Sequence, residues 1–498
     1  MIAWPAPEEV DRPRVDHDRP SALSPAGPGP SRPGGPAPDL GPLHRAAQSA
    51  GDGLYLGRGA GGWAWAGAER SALVLGPSRS GKTSALVVPN VLVAPGAVVS
   101  TSTKPDVLEA TAAARSSVGS VLLYDPSGTV PPSPGVRRVG WSPIHASGEW
   151  DLALSVADGM VRAAATTGGR AEPGFDSHWS ERAGALLAPL LHAASLDGAP
   201  MSRLLTWVDR HAGEEALRTL HQHLGEHHPA TDVLAGVLTT DGREQSGIWS
   251  TASGVLAAYR GTAALASTAP PLLDARAFCD GPHALYVCAA GRHQQLLAPL
   301  VVGLLGDIRD AAYERARAGG REPPVVFALD EVANIAPLPD LPALVSEGAG
   351  QGLLTLACLQ DLSQARRRWG QEADAFLSLF ATTVVLPGIA DLATLEALSA
   401  LAGDVEVVSR TWSAALGSDR RRHDSVSLAA VERRRLTVDQ AARGRPGEAL
   451  ALDFANRIGR VLLTPAHATN PWRDLLGPHA RRRPLPELEA RADLGRGR

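Results

Sequence analysis

The chain has 498 residues, of which 44% are hydrophobic and 20% are charged, and this apolar content excludes a wholly disordered protein. Its formal net charge of −4 argues against a globally basic protein that coats nucleic acid. The three cysteines, Cys279, Cys288 and Cys358, form no CxxC pair, which excludes a disulfide framework and indicates a reducing compartment.

The first residues are rich in proline. Residues 1–45 carry 11 prolines and almost no apolar periodicity, which predicts a disordered arm, with ordered structure beginning near Gly53. The longer apolar runs are interrupted or fall short of the ~20 residues that a membrane-spanning helix needs. The chain also lacks the charged start and apolar stretch of a signal peptide. We therefore expect a cytoplasmic protein.

After this arm, short apolar runs alternate with helical periodicity. The predicted elements, in chain order, are strands over residues 54–58, 63–65 and 71–75, a helix over 83–93 that Pro89 ends or kinks, a strand over 97–102, a helix over 107–115 and a strand over 120–124. This strand–helix–strand order implies a parallel sheet with helices on both faces.

The alternation of strands and helices stops near Trp150. Residues 151–268 show helical spacing of apolar residues and no strong strand. Strands and helices then return over residues 284–288 (strand), 294–317 (helix), 325–329 and 353–359 (strands), 361–368 (helix), 382–386 (strand), 391–401 (helix), and 405–408, 449–453 and 460–463 (strands). The sequence predicts an α/β domain over residues 46–150 and 269–470, an all-alpha domain inserted at 151–268, and an arginine-rich tail over 471–498.

The first chemical motif follows the predicted strand 71–75 and precedes a helix. It fits GxxxxGK[ST], in which glycines let backbone N–H groups face phosphate oxygens at a helix N-terminus. Lys82 is expected to reach the β- and γ-phosphates, and Thr83 to bind Mg²⁺ through its hydroxyl. The predicted phosphate-binding residues are Gly76, Pro77, Ser78, Arg79, Ser80, Gly81, Lys82, Thr83 and Ser84.

Lysine is rare in this sequence. Lys82 and Lys104 are the only lysines among 48 lysine and arginine residues. A retained lysine indicates a place that needs a compact ammonium rather than a planar guanidinium. Lys82 lies in the motif itself, whereas Lys104 follows the predicted strand 97–102 and lies either near the nucleotide or on the surface.

The second motif is an apolar run that ends in two acids, Asp330 and Glu331. Such a run predicts a buried central strand whose carboxylates emerge at the ligand-binding edge of the sheet. Asp330 is expected to hold Mg²⁺, and Glu331 to orient and deprotonate the attacking water.

The third motif is Gln360, which follows the predicted strand 353–359. A neutral amide at the tip of a strand that neighbours the acidic one can sense the γ-phosphate or the attacking water. We therefore include Gln360 with Lys82 and Glu331 among the predicted catalytic residues.

Arginine runs are a further feature of the sequence. Residues 366–368, 420–422, 433–435 and 481–483 are all arginine, and they are either contacts to nucleic-acid phosphates or solvated faces. Taken singly, each run is more typical of a solvated face.

Seven segments follow one another along the chain in a recognisable order. They are Leu54-Tyr55-Leu56-Gly57-Arg58, the phosphate loop, Ser102-Thr103-Lys104-Pro105-Asp106, Tyr124-Asp125-Pro126, Phe175-Asp176-Ser177-His178-Trp179, Leu329-Asp330-Glu331-Val332-Ala333-Asn334-Ile335 and Leu359-Gln360-Asp361-Leu362-Ser363-Gln364. This order resembles that of the coupling-protein ATPases of type IV secretion and conjugative DNA transfer, the TraG/TraD-like group, and the resemblance covers about residues 53–465.

The resemblance implies a RecA-like P-loop NTPase domain with an inserted all-alpha domain, ATP and Mg²⁺ as cofactors, and a ring of six subunits. It further implies DNA, a relaxase or nucleoprotein substrate and secretion-channel components as partners, with recruitment to the inner face of the cell membrane.

Two features depart from the family pattern. Family members commonly begin with membrane-spanning helices, whereas this chain begins with a polar, proline-rich stretch. Members also often carry an arginine after the acidic strand that acts across the subunit boundary, and residues 346–352 contain none. Arg260 and Arg410 are the candidates to replace it, ahead of the triplet 366–368.

Two other functions remain open on the sequence. One is an FtsK/HerA-like motor that moves double-stranded DNA without a secretion channel. The other is a substrate receptor that uses nucleotide to assemble but hydrolyses little. DNA-stimulated ATPase activity favours either motor, and assembly with negligible turnover favours the receptor.

Overall fold

The structure, a computed structural model, describes residues 39–167, 177–289, 294–416, 422–453, 455 and 457–481. The strands in these ranges are β1 (Tyr55–Gly59), β2 (Gly62–Trp65), β3 (Ala72–Leu75), β4 (Val98–Ser102), β5 (Val121–Tyr124), β6 (Val136–Arg138), β7 (Ala284–Cys288), β8 (Val325–Leu329), β9 (Leu353–Leu359), β10 (Thr382–Val385), β11 (Asp404–Leu416), β12 (Arg422–Arg434), β13 (Glu448–Leu452) and β14 (Ile458–Leu462).

The α-helices of the described part lie mostly between these strands. They are α1 (Gly41–Ser49), α2 (Val88–Val93), α3 (Asp106–Arg115), α4 (Trp150–Thr167), α5 (Ser177–Leu196), α6 (Met201–Asp209), α7 (Gly213–Leu224), α8 (Pro229–Leu238), α9 (Gly242–Val255), α10 (Thr262–Ala266), α11 (Ala275–Cys279), α12 (Gln294–Arg317), α13 (Val332–Ile335), α14 (Leu341–Glu347), α15 (Leu362–Trp369), α16 (Phe376–Leu379), α17 (Leu392–Ala402), α18 (Val438–Ala442), α19 (Trp472–Leu475) and α20 (Pro478–Arg481).

A twelve-stranded sheet organises the fold, in the order β2-β1-β14-β13-β10-β3-β9-β8-β4-β7-β5-β6. The strands from β10 to β6 run parallel, and the strands from β13 to β2 extend the sheet antiparallel. Strands β3, β8 and β9 are buried throughout. The predicted parallel sheet is confirmed, and its continuous apolar runs reflect burial on both faces.

Alternate side chains of each central strand enter different cores. Leu73 and Leu75 belong to the core on one face, whereas Ala72 and Val74 belong to the core on the other. This follows from the two-residue side-chain period of a strand. The first core extends into helices α4 to α12, and the second contains α1, α2 and α3.

The expected start of order near Gly53 is wrong. Helix α1 begins at Gly41, and Leu40, Leu43 and Ala47 are buried against the second core. Pro42 stands in the first turn of α1, where a proline needs no hydrogen-bonded N–H and starts a helix rather than breaking it. The rest of the predicted arm, residues 1–38, lies outside the described residues.

The first residues of the predicted tail, 471–498, pack against the sheet. Trp472 is buried and stacks on Trp63 of β2, with 5.0 Å between ring centroids. Tyr55 packs edge-on against the same ring at 5.1 Å. Aromatic stacking therefore keeps α19 on the sheet, and the remaining predicted tail, residues 482–498, lies outside the described part of the chain.

The predicted strand 405–408 is present but lies outside the large sheet. It lies in β11, which pairs with β12 in a separate two-stranded hairpin. On this hairpin Val408 and Leu428 are each 62% exposed and Trp412 is 72% exposed. Neither strand carries an unbroken apolar face of the kind that the central strands bury, since charged and polar residues interrupt both.

The described residues from Trp150 to Ala266 form helices and no strand, as their spacing predicts. These helices share a core with one face of the sheet: Met160 and Val161 of α4 belong to the same hydrophobic cluster as Leu304 and Ile308 of α12. The helical segment therefore covers apolar surface of the sheet domain. The division into domains stays a prediction.

No helix within the described ranges is both long enough and apolar enough to cross a membrane.

Candidate functional site

The phosphate loop connects β3 to the next helix at the centre of the sheet. Arg79 and Gly81 have positive φ angles of 63° and 99°, whereas Lys82 is right-handed with φ −46°. Neighbouring left- and right-handed residues turn successive N–H groups to one side, which forms a concave anion site. A Cβ added at Gly76 would lie 2.8 Å from Leu386, so this position needs glycine.

The helix after this loop starts irregularly. Residues Thr83–Val87 form a π-helical turn, and Val88–Val93 continue as α2. Pro89 lies at the junction, because a proline has no N–H for the regular bond to the preceding turn. The helix does not end at Pro89, because it continues as α2 to Val93, and a kink at Pro89 stays a prediction.

Lys82 points into the loop. Its Nζ donates to the carbonyl oxygens of Gly76 at 2.5 Å and Pro77 at 2.9 Å, and the residue is only 8% exposed. An ammonium has three N–H donors, so one remains beyond these two bonds. The positive charge of Lys82 therefore lies inside the loop, beside the backbone of Gly76 and Pro77.

Asp330 follows β8 and faces Thr83. The Thr83 hydroxyl donates to Asp330 Oδ2 at 2.5 Å, and Thr101 Oγ1 donates to the Asp330 backbone carbonyl at 3.1 Å. Burial raises the pKa of Asp330, and the Thr83 bond and the Lys82 charge partly oppose this. A hydroxyl and a carboxylate oxygen in contact are the ligand types that Mg²⁺ takes in nucleotide sites.

One side-chain hydroxyl of the loop makes no hydrogen bond and can donate to a bound group. The hydroxyl of Ser80 is buried and has no hydrogen-bond partner in the structure. Among the described residues, no group of three or more His, Cys, Asp or Glu could hold a metal on its own. Mg²⁺ bound through one or two protein oxygens and substrate phosphates fits this donor set.

Glu331 stands beside Asp330 in a left-handed conformation, with φ 51° and ψ 46°. This region is unfavourable for a residue with a Cβ, and such strain concentrates at functional sites. Asn334 Nδ2 lies 3.4 Å from Glu331 Oε2, and the backbone N–H of Asn334 donates to the Glu331 carbonyl at 2.9 Å.

Gln360 reaches the phosphate loop from β9. Its Nε2 donates to Ser78 Oγ at 3.3 Å, and the Gly76 N–H donates to the Leu359 carbonyl at 3.2 Å. Strand β9 lies between β3 and β8, so Gln360 stands between the phosphate loop and the acidic strand. The structure thus brings Lys82, Thr83, Asp330, Glu331 and Gln360 to one edge of the sheet.

The remaining candidates are Lys104, Arg260 and Arg410. Lys104 is exposed after β4. Arg260 donates to the Ser253 carbonyl at 2.7 Å and to Asp209 within the helical segment. Arg410 is exposed on β11 of the hairpin.

Sequence reasoning missed Asn334 and Arg368 as parts of this region. Arg368 Nε donates to the Ala333 carbonyl at 2.8 Å, two residues after Glu331. Asn334 lies in the quoted acidic motif, so its position was a usable signal. Arg368 belongs to a triplet whose pattern is typical of a solvated face, and the sequence carries no signal for its contact.

A phosphate loop on the central strand and an acidic strand end two strands away define a RecA-like P-loop NTPase fold. The family model for conjugative DNA transfer in the type IV secretory system matches residues 41–443. The chain belongs to this family.

Two curated relatives, both conjugal transfer protein TraG of Escherichia coli, are 27% identical to it. One matches over 417 residues, 76% of this chain and 62% of the relative, and the other over 407 residues, 74% of this chain and 61% of the relative. The chain thus spans about three-fifths of the length of these relatives.

Solved structures of the bacterial conjugative coupling protein TrwB have the same fold. The unbound monoclinic form is 20% identical with a TM-score of 0.59, over 80% of this chain and 84% of that chain. The complex with ADP and Mg²⁺ is 20% identical with a TM-score of 0.59, over 80% of this chain and 85% of that chain.

Proposed function

We propose that this chain binds ATP with Mg²⁺ at the carboxyl edge of its parallel sheet and couples ATP hydrolysis to conjugative DNA transfer through a type IV secretion system. The contact between Thr83 and Asp330 carries the proposal, because it joins the phosphate loop to the acidic end of β8. Family membership supports the DNA-transfer part, and the TrwB complexes with ADP and Mg²⁺ and with an ATP analogue support the nucleotide part.

Each side chain of the site has a proposed role. The loop from Gly76 to Ser84 binds the phosphates through backbone N–H groups, and Lys82 neutralises their charge. Thr83 and Asp330 hold Mg²⁺. When bound, this ion neutralises charge that develops on the phosphates. Glu331 takes a proton from the attacking water, and Gln360 senses the phosphate from the neighbouring strand.

The proposal extends to assembly and partners. We expect a homo-hexamer with nucleotide at the subunit boundary, acting on DNA and a relaxase or nucleoprotein substrate together with secretion-channel components. Its place of action is the cytoplasmic face of the cell membrane, with a channel component recruiting it there. These assignments rest on the family and on the relatives that the chain partly covers.

The decisive experiment measures ATP hydrolysis without DNA, with single strands and with duplex of the same length, and the particle mass in each sample. We expect DNA to stimulate turnover and the mass to rise to that of a ring. Stimulation by duplex alone would favour the FtsK/HerA-like motor. Nucleotide-dependent assembly with negligible turnover in every sample would favour the receptor and contradict the motor.

Measurements of turnover can also test whether an arginine of one subunit acts at the nucleotide site of its neighbour. Arg260 is bonded to Asp209 and Ser253 within its own helical segment, which favours Arg410 as the residue that reaches a neighbouring subunit. We expect Arg410→Ala to bind ATP and assemble but to lose turnover at least tenfold, because a neighbour's arginine stabilises transition-state charge.

Mixing Arg410→Ala with Lys82→Ala subunits should restore some activity, because each supplies what the other lacks. Arg260→Ala is the matched control and should behave like the parent. If both single variants turn over normally, neither arginine acts as a finger.

A further inference from the structure

Helix α15 has one end at the phosphate loop. Gln360, just before it, donates through its side chain to Ser78 and through its backbone N–H to Gln364 Oε1 at 2.9 Å. Asp361 caps the helix by accepting from the Gln364 N–H at 2.9 Å. These bonds fix Gln360 to the first turn of α15, so a displacement of Gln360 displaces the start of the helix.

The other end of α15 holds the segment that follows Glu331. Arg368 Nε donates to the Ala333 carbonyl at 2.8 Å, and Trp369 Nε1 donates to the buried Leu338 carbonyl at 2.7 Å. Burial lowers the pKa of Arg368, so its charge is partly removed from water at this contact. Two neighbouring side chains at the end of α15 thus bind two backbone carbonyls in the segment that follows Glu331.

The segment that these two bonds hold includes α13, which sets the orientation of Glu331. Ala333 and Asn334 both belong to α13, a four-residue helix that begins directly after Glu331. Asn334 closes this turn through its backbone bond to the Glu331 carbonyl, and its amide lies beside the Glu331 carboxylate. The left-handed Glu331 backbone persists only where surrounding contacts hold it, and these contacts are of that kind.

From this continuous set of contacts we infer that α15 is a strut between the γ-phosphate sensor and the general base. Gln360 contacts the phosphate loop, and Arg368 passes a displacement of α15 on to α13. Asn334 is a positioning residue that orients the Glu331 carboxylate. The inference rests on the proposed function, because it assigns Glu331 the role of base. It adds two residues that act through Glu331 and not on the nucleotide.

The test compares kcat and KM for ATP in full-length Asn334→Ala and Arg368→Gln. We expect kcat to fall about tenfold in each, with KM and nucleotide affinity within twofold of the parent, because neither side chain is assigned a phosphate. Arg367→Gln is the matched control, since Arg367 is the exposed neighbour in the same triplet. It should leave kcat unchanged, and Arg368→Lys, which keeps a donor, should recover part of the loss.

A double-variant cycle separates positioning from general damage to the structure. If α15 couples the two ends, Gln360→Ala combined with Asn334→Ala should lower kcat no further than the more severe single variant. Multiplicative losses, or a kcat of Asn334→Ala equal to that of the parent, would overturn the strut. If the parent hydrolyses no ATP, both the strut and the proposed function fail. If the parent is active and Glu331→Gln is inactive, a normal Asn334→Ala overturns the strut alone.

Discussion

Replacing Lys82 with alanine is expected to lower ATP turnover by roughly 10²–10³-fold, the typical loss when one preorganised charge donor leaves a reacting centre. The ammonium lies inside the loop, 8% exposed and bonded to the Gly76 and Pro77 carbonyls. Lys82→Arg should fail as well, because the planar guanidinium is larger than the ammonium that this closed position accommodates. Nucleotide titration and steady-state phosphate release measure both effects.

Lys104 provides the control for this prediction. It is the other lysine of the chain and is exposed, so Lys104→Arg should keep turnover near that of the parent. Full activity of Lys82→Arg would contradict the interpretation that lysine is retained there for its shape.

Glu331→Gln is expected to bind ATP normally and to hydrolyse it 10²–10⁴-fold more slowly, the usual contribution of a general base. The amide keeps nearly the same shape but cannot accept the proton of the attacking water. Phosphate binding should survive, because the loop, Lys82 and the Thr83–Asp330 contact do not involve the Glu331 side chain. Single-turnover phosphate release, with a parallel binding titration, separates the two steps.

Glu347→Gln makes the same chemical change at an exposed position of α14. It should leave both binding and release unchanged. A Glu331→Gln protein that turns over like the parent would exclude Glu331 as the base.

The central strands could be predicted from sequence because their apolar runs are continuous and end in recognisable chemistry. Leu75 precedes the phosphate loop, Leu329 precedes Asp330, and Leu359 precedes Gln360. Parallel pairing places Leu75 beside Leu359 and Leu329 beside Ala357, so the three strand ends meet at one edge. Local pattern and sheet geometry agree here, and the main site residues follow from them.

The packing of α1 and of Trp472, and the separate hairpin, could not be predicted, because tertiary contacts decide them. Trp472 is ordered by its stack on Trp63, more than 400 residues earlier in the chain, and no local pattern records that contact. Strand β11 has good strand propensity, but propensity does not say whether a strand joins the large sheet or pairs separately.

The roles of individual arginines could not be predicted, because arginine is frequent throughout the sequence. Arg115 is completely buried and donates to the carbonyls of Ala94, Gly96 and Pro282, although it has no feature that distinguishes it in an arginine-rich sequence. Arg368 was hidden in the same way, inside a triplet. Where one residue type serves many roles, spacing cannot separate a surface charge from a structural donor.

The shared core of α4 and α12 has a mechanical consequence. Helix α12 leads through a short connection into β8, the strand that ends in Asp330 and Glu331. Because close-packed interiors are barely compressible, we expect a push on the helical segment to pass through α4 into α12 and on to the start of β8. If the chain hydrolyses ATP as we propose, an opposing force on the helical segment should therefore slow turnover.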